Sequence, residues 1–351
     1  MVVNKTLIFK KVPTGMPVPG EHLVIEDRGF DLEAPPPPGG ITVSILWASF
    51  DPYQRGRMRA ADVKSYSPPF DLDGPITNDT VSRVLKSDSP DYKPGDIVLG
   101  RLPTAEYAAV TKEQLATLRG KLVNPHNLQP LGLFIGPLGM PGLTAWSSLY
   151  EIGKPKKGET IFVSSAAGAV GQVVGQVAKR EGLKVIGSVG SDDKLDYIVN
   201  ELGFDGGFNY KKEKPADALK RLAPEGIDIY YENVGGEQLE AALDAMKDFG
   251  RIVCCGMISQ YNLPPEQRFG VKNIFLVVSK RLTMRGFIVS DPGFWDKYAK
   301  DHQEKFGQWL AEGSVKVKLH VVEGIDKAAE GLVGIFEGKN FGKAVLKIKD
   351  E

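Results

Sequence analysis

The segment IFVSSAAGAVGQVVGQVAKREG, residues 161–182, constrains the fold more than any other stretch of this chain. An apolar strand pattern runs into a glycine turn, and the turn opens a helix pattern. Gly168 and Gly171 lie in the turn and Gly175 follows one helical turn later, giving A-x-G-x-x-G with Ala166 in the first glycine position. Glycine at 168 lets a backbone approach a pyrophosphate, and glycine at 171 lets the helix pack tightly on the strand. The helix N-terminus offers N–H groups and the positive end of its dipole to an anion. Any tight strand-to-helix connection also uses glycine, so the motif counts only in context. Here a second strand, KVIGSVG, arrives on schedule, and the context favours a dinucleotide site.

The texture of the chain supports this placement. Before about residue 125, short strands such as HLVIEDR, ITVSILWASF and DIVLGRL alternate with turns, including the proline run 35–38. From about residue 130 strands and helices alternate. A Gly-rich apolar helix pattern (PLGMPGLTAWSSLYEIG) precedes TIFVSS, and helix DKLDYIVNELG, strand GGFNY and helix ADALKRLA follow KVIGSVG. Strand IDIYYENV, helix GEQLEAALDAMKDFG and strand RIVCCGMI complete the block. This spacing means βαβ units and a parallel sheet. After residue 290 a helix pattern, FWDKYAKDHQEKFGQWLAEG, leads to strands VKLHVVEG and KAVLKIK. The expected architecture is α/β: a doubly wound parallel sheet over 129–290, inserted in a mostly β domain made of 1–128 and 291–351.

Bulk properties exclude several roles. Lys plus Arg balances Asp plus Glu at 44 each, so no net field favours nucleic acid or an anionic membrane. No apolar run reaches the length of a spanning helix, and the N-terminal MVVNKTLIFKKV lacks the core of a signal peptide. Two cysteines in 351 residues give no disulfide framework, which suits a cytoplasmic location.

The second strand bears on the choice of dinucleotide. An NAD site places an acid at the end of that strand for the ribose 2′-hydroxyl. GSVGSDDK offers Gly187, Ser188, Val189, Gly190 and Ser191 instead, then Lys194 as a point charge for a 2′-phosphate. Asp192 and Asp193 would have to turn away. The residues therefore point to NADP, with Lys194 as a merely solvated helix residue the competing reading. No metal is expected: the four histidines (His22, His126, His302, His320) are scattered and Cys254 and Cys255 are adjacent. Adjacent strand residues point to opposite faces, so the pair reads as small buried side chains at the end of a parallel strand. The loop GMISQYN then begins where ligands of such sheets bind.

In order along about 300 residues, the chain carries DPYQRGRM (51–58), GMPGLTAW (139–146), AAGAVGQVVGQVAK (166–179) and GSVGSDDK (187–194). FNYK (208–211), YENVGG (231–236), CGMISQYN (255–262), RGFIVSD (285–291) and NFGKAVLKI (340–348) follow. With these motifs it resembles the zinc-independent medium-chain reductases of the prostaglandin reductase (leukotriene B4 12-hydroxydehydrogenase) and plant alkenal double-bond reductase type. The resemblance implies a GroES-like substrate domain, a Rossmann domain, NADPH and a homodimer. It implies that Gly168, Ala169, Val170 and Gly171 line the pyrophosphate, and that Lys194 and Tyr210 bind the 2′-phosphate end. Asn233, Cys255, Ser259, Tyr261, Phe287, Val289 and Asn340 would line the rest of the cofactor or the active cleft. Two departures stand out: Gln54, where the family often has Met, and a polar stretch, PITNDTVSRVL, where the family is Gly-rich.

The chemistry this suggests is metal-free hydride transfer to the β-carbon of an α,β-unsaturated carbonyl substrate. The enolate oxygen then needs a hydrogen-bond donor. Tyr261 is the expected donor and Tyr53 the second candidate; either could be only a packing wall. Three alternatives stay open: a quinone reductase, an allylic-alcohol dehydrogenase, and a protein that binds NADPH without turnover.

Overall fold

The computed structural model describes residues 1–351. The chain forms two compact units: Met1–Gly136 with Leu319–Asn340 and Ala344–Glu351, and Pro137–Lys318 with Phe341–Lys343.

The first unit opens with β1 (Lys5–Phe9) and β2 (Leu23–Asp27), an antiparallel pair. It continues through β3 (Ile41–Ser49), β4 (Thr77–Ser87), β5 (Ile97–Pro103), β6 (Tyr107–Val110) and β7 (Leu118–Lys121). The second unit contributes β8 (Thr160–Val163), β9 (Lys184–Val189), β10 (Gly206–Asn209), β11 (Ile227–Glu232), β12 (Met246–Cys254) and β13 (Thr283–Gly286). Strands β14 (Leu319–Glu323) and β15 (Lys343–Lys347) bring the chain back to the first sheet.

That first sheet runs β14-β15-β3-β4-β5-β7, with β6 also on β3. Strand β3 is buried along its whole length because both of its faces are covered. Ile41, Val43 and Ile45 pack with Val84, Val98 and Val110. Ala48, with Phe50 just beyond the strand, packs on the opposite side with Leu332 and Leu346.

The second sheet has the order β10-β9-β8-β11-β12-β13, and each neighbouring pair is parallel. The order reverses between β8 and β11, the arrangement of a doubly wound Rossmann sheet, whose ligands bind beyond the carboxyl ends of the strands. Phe162, Ile186, Phe208, Tyr230 and Ile252 belong to one core cluster, in which Phe162 stacks on Tyr230 at 5.0 Å between ring centres. Strands buried on both faces read as continuous apolar runs, which is why TIFV and IDIYY carry so little alternation.

Three details differ from expectation. The second unit extends to Lys318, whereas the sequence placed 291–351 in the first domain. The cause is packing: Trp146 lies against His302 and Trp309 of helix Trp295–Ala311, at 5.9 and 5.4 Å between ring centres. Gln172 and Gln176 also hold the backbone at Lys316 and Lys318. Second, the helix expected over 236–250 ends at Ala245, where Met246 turns extended (φ −61°, ψ 137°) and opens β12. Third, β12 ends at Cys254, so Cys255 belongs to the loop and not to the strand. No helix is long and apolar enough to cross a membrane.

Candidate active site

The glycine turn follows β8 directly. A Cβ at Gly171 would stand 2.4 Å from the Ser165 carbonyl oxygen and 2.8 Å from Ala166 Cα, so only glycine fits. At Gly168 it would meet Ser165 Oγ at 3.0 Å, and at Gly175 the Phe204 ring at 1.9 Å. Ala166 is fully buried and donates its N–H to the Ser188 carbonyl at 2.9 Å, which clamps the turn to β9. Ala169 and Val170 are half-buried, and Val170, which precedes helix Gly171–Arg180, caps it with no side-chain hydrogen bond. The helix end keeps a positive dipole without a side-chain acceptor, which fits a pyrophosphate.

Beyond β9, Ser191 caps helix Asp192–Asp196 by accepting from the Lys194 N–H at 3.4 Å. Asp192 turns aside: it accepts from Asn209 Nδ2 at 2.9 Å and pairs with Lys212. Lys194 is half-buried, and its pKa is lowered, first by burial and then by the charge of Lys211. Two cations brought together at a partly buried place suit an anion of high charge. Tyr210 lies across this corner, its hydroxyl 3.2 Å from where a Gly190 Cβ would stand. Ser188, which stands in place of an acid, is fully buried and donates to Gln238 Oε1 at 2.5 Å.

The ends of β8, β11 and β12 are laced together. Glu232 is fully buried, and its Oε1 accepts from the N–H groups of Val234 (2.6 Å) and Gly235 (2.8 Å) and from Tyr230 Oη (2.8 Å). Burial raises its pKa against those hydrogen bonds. Asn233 donates through Nδ2 to the Ser164 carbonyl at 2.8 Å, and its N–H donates to Ser164 Oγ at 2.9 Å. Ser259 donates to the Val234 carbonyl at 2.6 Å. The Cys255 thiol is pushed up to about 12, first by burial, with a hydrogen bond to Tyr231 opposing. Cys254 likewise rises to about 12, through burial and then the Glu232 charge. Neither thiol is a nucleophile at neutral pH.

Tyr261 folds back along its own loop. Its phenol oxygen accepts the Met257 N–H at 3.1 Å and would stand 2.8 Å from a Cβ at Gly256. Phe287 stacks on Phe294 at 5.1 Å, and Val289 is half-buried in the turn that Asp291 closes on the Ile288 N–H. The second unit thus brings the glycine turn, Lys194, Tyr210, Asn233, Cys255, Ser259 and Tyr261 to the strand ends of one sheet.

Tyr53 and Asn340 belong to the first unit. Asn340 borders a surface hollow of about 410 Å³ with His320, Glu330 and Lys339. Tyr53 precedes the short helix Gln54–Arg57 and donates to Asn78 Oδ1 at 2.5 Å. Burial, then the Asp51 charge, hold its pKa well above the usual phenol range. Within the polar stretch noted in the sequence, Asn78, Asp79, Thr80 and Ser82 are buried. Asn78 joins Ser49, Asp51 and Gln54, while Asp79 pairs with Arg119 at 2.6 Å and Thr80 donates to the Gly100 carbonyl at 3.1 Å.

The family model for zinc-binding dehydrogenases matches residues 169–304, and that for the N-terminal domain of oxidoreductases matches residues 5–118. The NADP-dependent oxidoreductase RED1 of Cochliobolus heterostrophus is 53% identical over 350 residues, spanning 100% of this chain and 99% of that protein. The 2-alkenal reductase (NADP(+)-dependent) of Nicotiana tabacum is 44% identical over 352 residues, spanning 100% of this chain and 99% of its own. The crystal structure of CurA from Vibrio vulnificus in complex with NADPH superposes with a TM-score of 0.87 at 33% identity, covering 99% of this chain and 100% of that one. The chain belongs to the medium-chain dehydrogenase/reductase family.

Although one matching model is that of zinc-binding members of this family, no group of three or more His, Cys, Asp or Glu side chains is placed to hold a metal ion. The residues do not fit a zinc. Several residues that shape the dinucleotide corner escaped the sequence. Lys211 stands at the end of FNYK, but its approach to Lys194 depends on the register of β9 with β10. Ser164 and Glu232 likewise act only once β8 and β11 lie side by side.

Proposed function

We propose that the protein reduces the carbon–carbon double bond of α,β-unsaturated ketones and aldehydes, with NADPH as the electron source. NADP(H) is the cofactor, as in RED1, the tobacco reductase and the Vibrio complex. Bound there, it supplies a hydride to the β-carbon. Gly168, Ala169, Val170 and Gly171 would hold the pyrophosphate, while Lys194, Lys211 and Tyr210 would hold the 2′-phosphate. Asn233, Cys255, Ser259, Phe287, Val289 and Asn340 are assigned to the remaining walls.

The observation that carries the chemistry is the setting of Tyr261, on the loop after the fifth strand of the parallel sheet. As hydride arrives, the π electrons move to the carbonyl oxygen and an enolate develops. A phenol whose oxygen already accepts an N–H is a stronger donor of its own proton, because charge is drawn from the O–H bond. Tyr261 would therefore donate to the enolate oxygen, and a proton from Tyr261 or water would complete the α-carbon.

A homodimer is part of this reading. Strand β13 is an edge of the parallel sheet, and Phe275 and Val278 in the segment leading to it are 65% and 80% exposed. Phe249, 66% exposed, is tied to that segment through its N–H to the Lys280 carbonyl. Sedimentation should give twice the chain mass.

The functional test is NADPH oxidation against enones, enals and quinones, with NADP reduction by allylic alcohols alongside. Turnover of enones to saturated carbonyls supports the proposal. Turnover of quinones or allylic alcohols alone moves the protein to another chemistry on this scaffold. Cofactor binding without any turnover removes catalysis.

A further inference from the structure

The reaction proposed above leaves one buried acid without a task. Glu232 ends β11, is 0% exposed, and uses its carboxyl through a single oxygen. Oε1 accepts the N–H groups of Val234 at 2.6 Å and Gly235 at 2.8 Å, with Tyr230 Oη at 2.8 Å and Ser164 Oγ at 3.3 Å. Oε2 is buried without a partner. Burying a carboxyl is costly unless hydrogen bonds offset the lost water. Here they all converge on two hydroxyls and on the turn that follows the strand.

The two N–H groups belong to the peptide planes 233–234 and 234–235. In a trans peptide the N–H and the C=O point in opposite directions, so a plane fixed at one edge is aimed at the other. Both far edges are engaged. The Asn233 carbonyl accepts the Ile258 N–H at 3.1 Å, and the Val234 carbonyl accepts the Ser259 N–H at 3.1 Å and Ser259 Oγ at 2.6 Å. Ile258 and Ser259 lie on the loop that carries Tyr261, and the same loop gives the Met257 N–H to the Tyr261 phenol oxygen at 3.1 Å. Turn and loop also touch: a Cβ at Gly235 would stand 2.9 Å from Met257 Cβ. The turn has little stiffness of its own, because Gly235 and Gly236 sit at φ 76° and 60° and glycine leaves such values freely. Glu232 supplies the fixed end.

We propose that Glu232 is a positioning residue whose carboxyl oxygen, acting through the peptide planes 233–234 and 234–235, sets the place of Tyr261 for the reaction. The inference rests on Tyr261 as the donor to the enolate in the reading above. Every residue it invokes lies in the second unit. The role asks for an acceptor and not for a charge, so Gln at 232 can fill it and Leu cannot.

The test is a double-variant cycle on one enone. Glu232→Leu and Glu232→Gln are made alone and with Tyr261→Phe, and kcat and KM are measured for each. Glu232→Leu should lower kcat by about 10- to 100-fold, the scale of a displaced reacting group, with less effect on KM. Added to Tyr261→Phe, it should lower kcat by less than about 3-fold, because a displaced phenol and an absent one are then equivalent. Glu232→Gln should keep kcat within about 3-fold of the wild type. A Glu232→Leu variant that keeps wild-type kcat, or that loses as much in the Tyr261→Phe background, overturns the proposal. So does a Glu232→Gln variant as slow as Glu232→Leu. If Glu232→Leu does not fold, hydrogen exchange of the wild type followed by NMR decides the matter. Ile258 and Ser259 amides that open together with those of Val234 and Gly235 support the proposal, and amides that exchange independently of them overturn it. A Tyr261→Phe variant with full kcat ends the donor reading itself, whereas a slowed Tyr261→Phe beside an unaffected Glu232→Leu ends only this inference.

Discussion

At the strand ends of the parallel sheet, Lys194 and Lys211 stand close enough for one charge to lower the pKa of the other, and Tyr261 accepts a backbone N–H. Around Tyr53 in the first unit, Ser49, Asp51, Gln54 and Asn78 satisfy one another, and the phenol proton is engaged among them. The second unit gathers positive charge at one partly buried corner, a setting that suits an anionic cofactor. The first unit turns its polarity inward and fixes the orientation of a single side chain. The two phenols thus sit in different surroundings: Tyr261 accepts a backbone N–H, whereas Tyr53 donates to the Asn78 side chain.

The contrast is tested most severely by removing each hydroxyl in turn. Tyr261→Phe should lower kcat on a simple enone by about 100-fold or more, with less effect on KM, because the lost contact strengthens in the transition state. NADPH binding should survive. Tyr53→Phe should lower kcat on the same enone by less than about 10-fold, the scale of one neutral hydrogen bond. Equal losses in parallel steady-state assays would remove Tyr261 as the distinct donor to the enolate.

The cation pair gives the next largest effect. Lys194→Ala should weaken NADPH by roughly 10- to 100-fold in a fluorescence titration and leave NADH unchanged. The pH dependence has a definite sign. Burial and Lys211 lower the Lys194 pKa in the free protein, and a bound phosphate dianion would raise it, so binding takes up a proton. NADPH affinity should fall as pH rises through the lowered value, and NADH affinity should not follow. Parallel curves for the two cofactors would remove Lys194 as the phosphate reader.

A smaller effect is expected at Cys254, which packs against the core of the second unit. Cys254→Ala should cost about 1 kcal/mol in chemical denaturation, with kcat unchanged. At the bottom of the scale, chelator should leave activity intact, and metal analysis of active protein should find no stoichiometric zinc. Loss of turnover on chelation would require a donor set that the side chains do not form.

Much of the second unit was legible because its signals are local. The glycines of the turn, the helix pattern that follows and the timing of β9 all lie within about 30 residues of one βαβ unit. The end of the helix at Ala245 was hidden because LEAALDAMKDF continues an apolar spacing that strand pairing overrides from Met246 onward. Helix Trp295–Ala311 could not be assigned to its unit because its anchor, Trp146, comes from far along the chain. Tyr53 was found, but its polarity was not. That depends on Asn78, which reaches Gln54 across 24 residues and Ser49 across 29. The available signal was the unusual polarity of NDT within a strand, and it marked the place without giving the geometry.

The central claim is that hydride reaches carbon at the far end of a conjugated carbonyl. The direct measurement uses NADPH deuterated at its transferable position, an α,β-unsaturated ketone and mass and NMR analysis of the product. The account predicts a saturated ketone with deuterium at the β-carbon and solvent hydrogen at the α-carbon. Deuterium on the carbinol carbon of an allylic alcohol would contradict it.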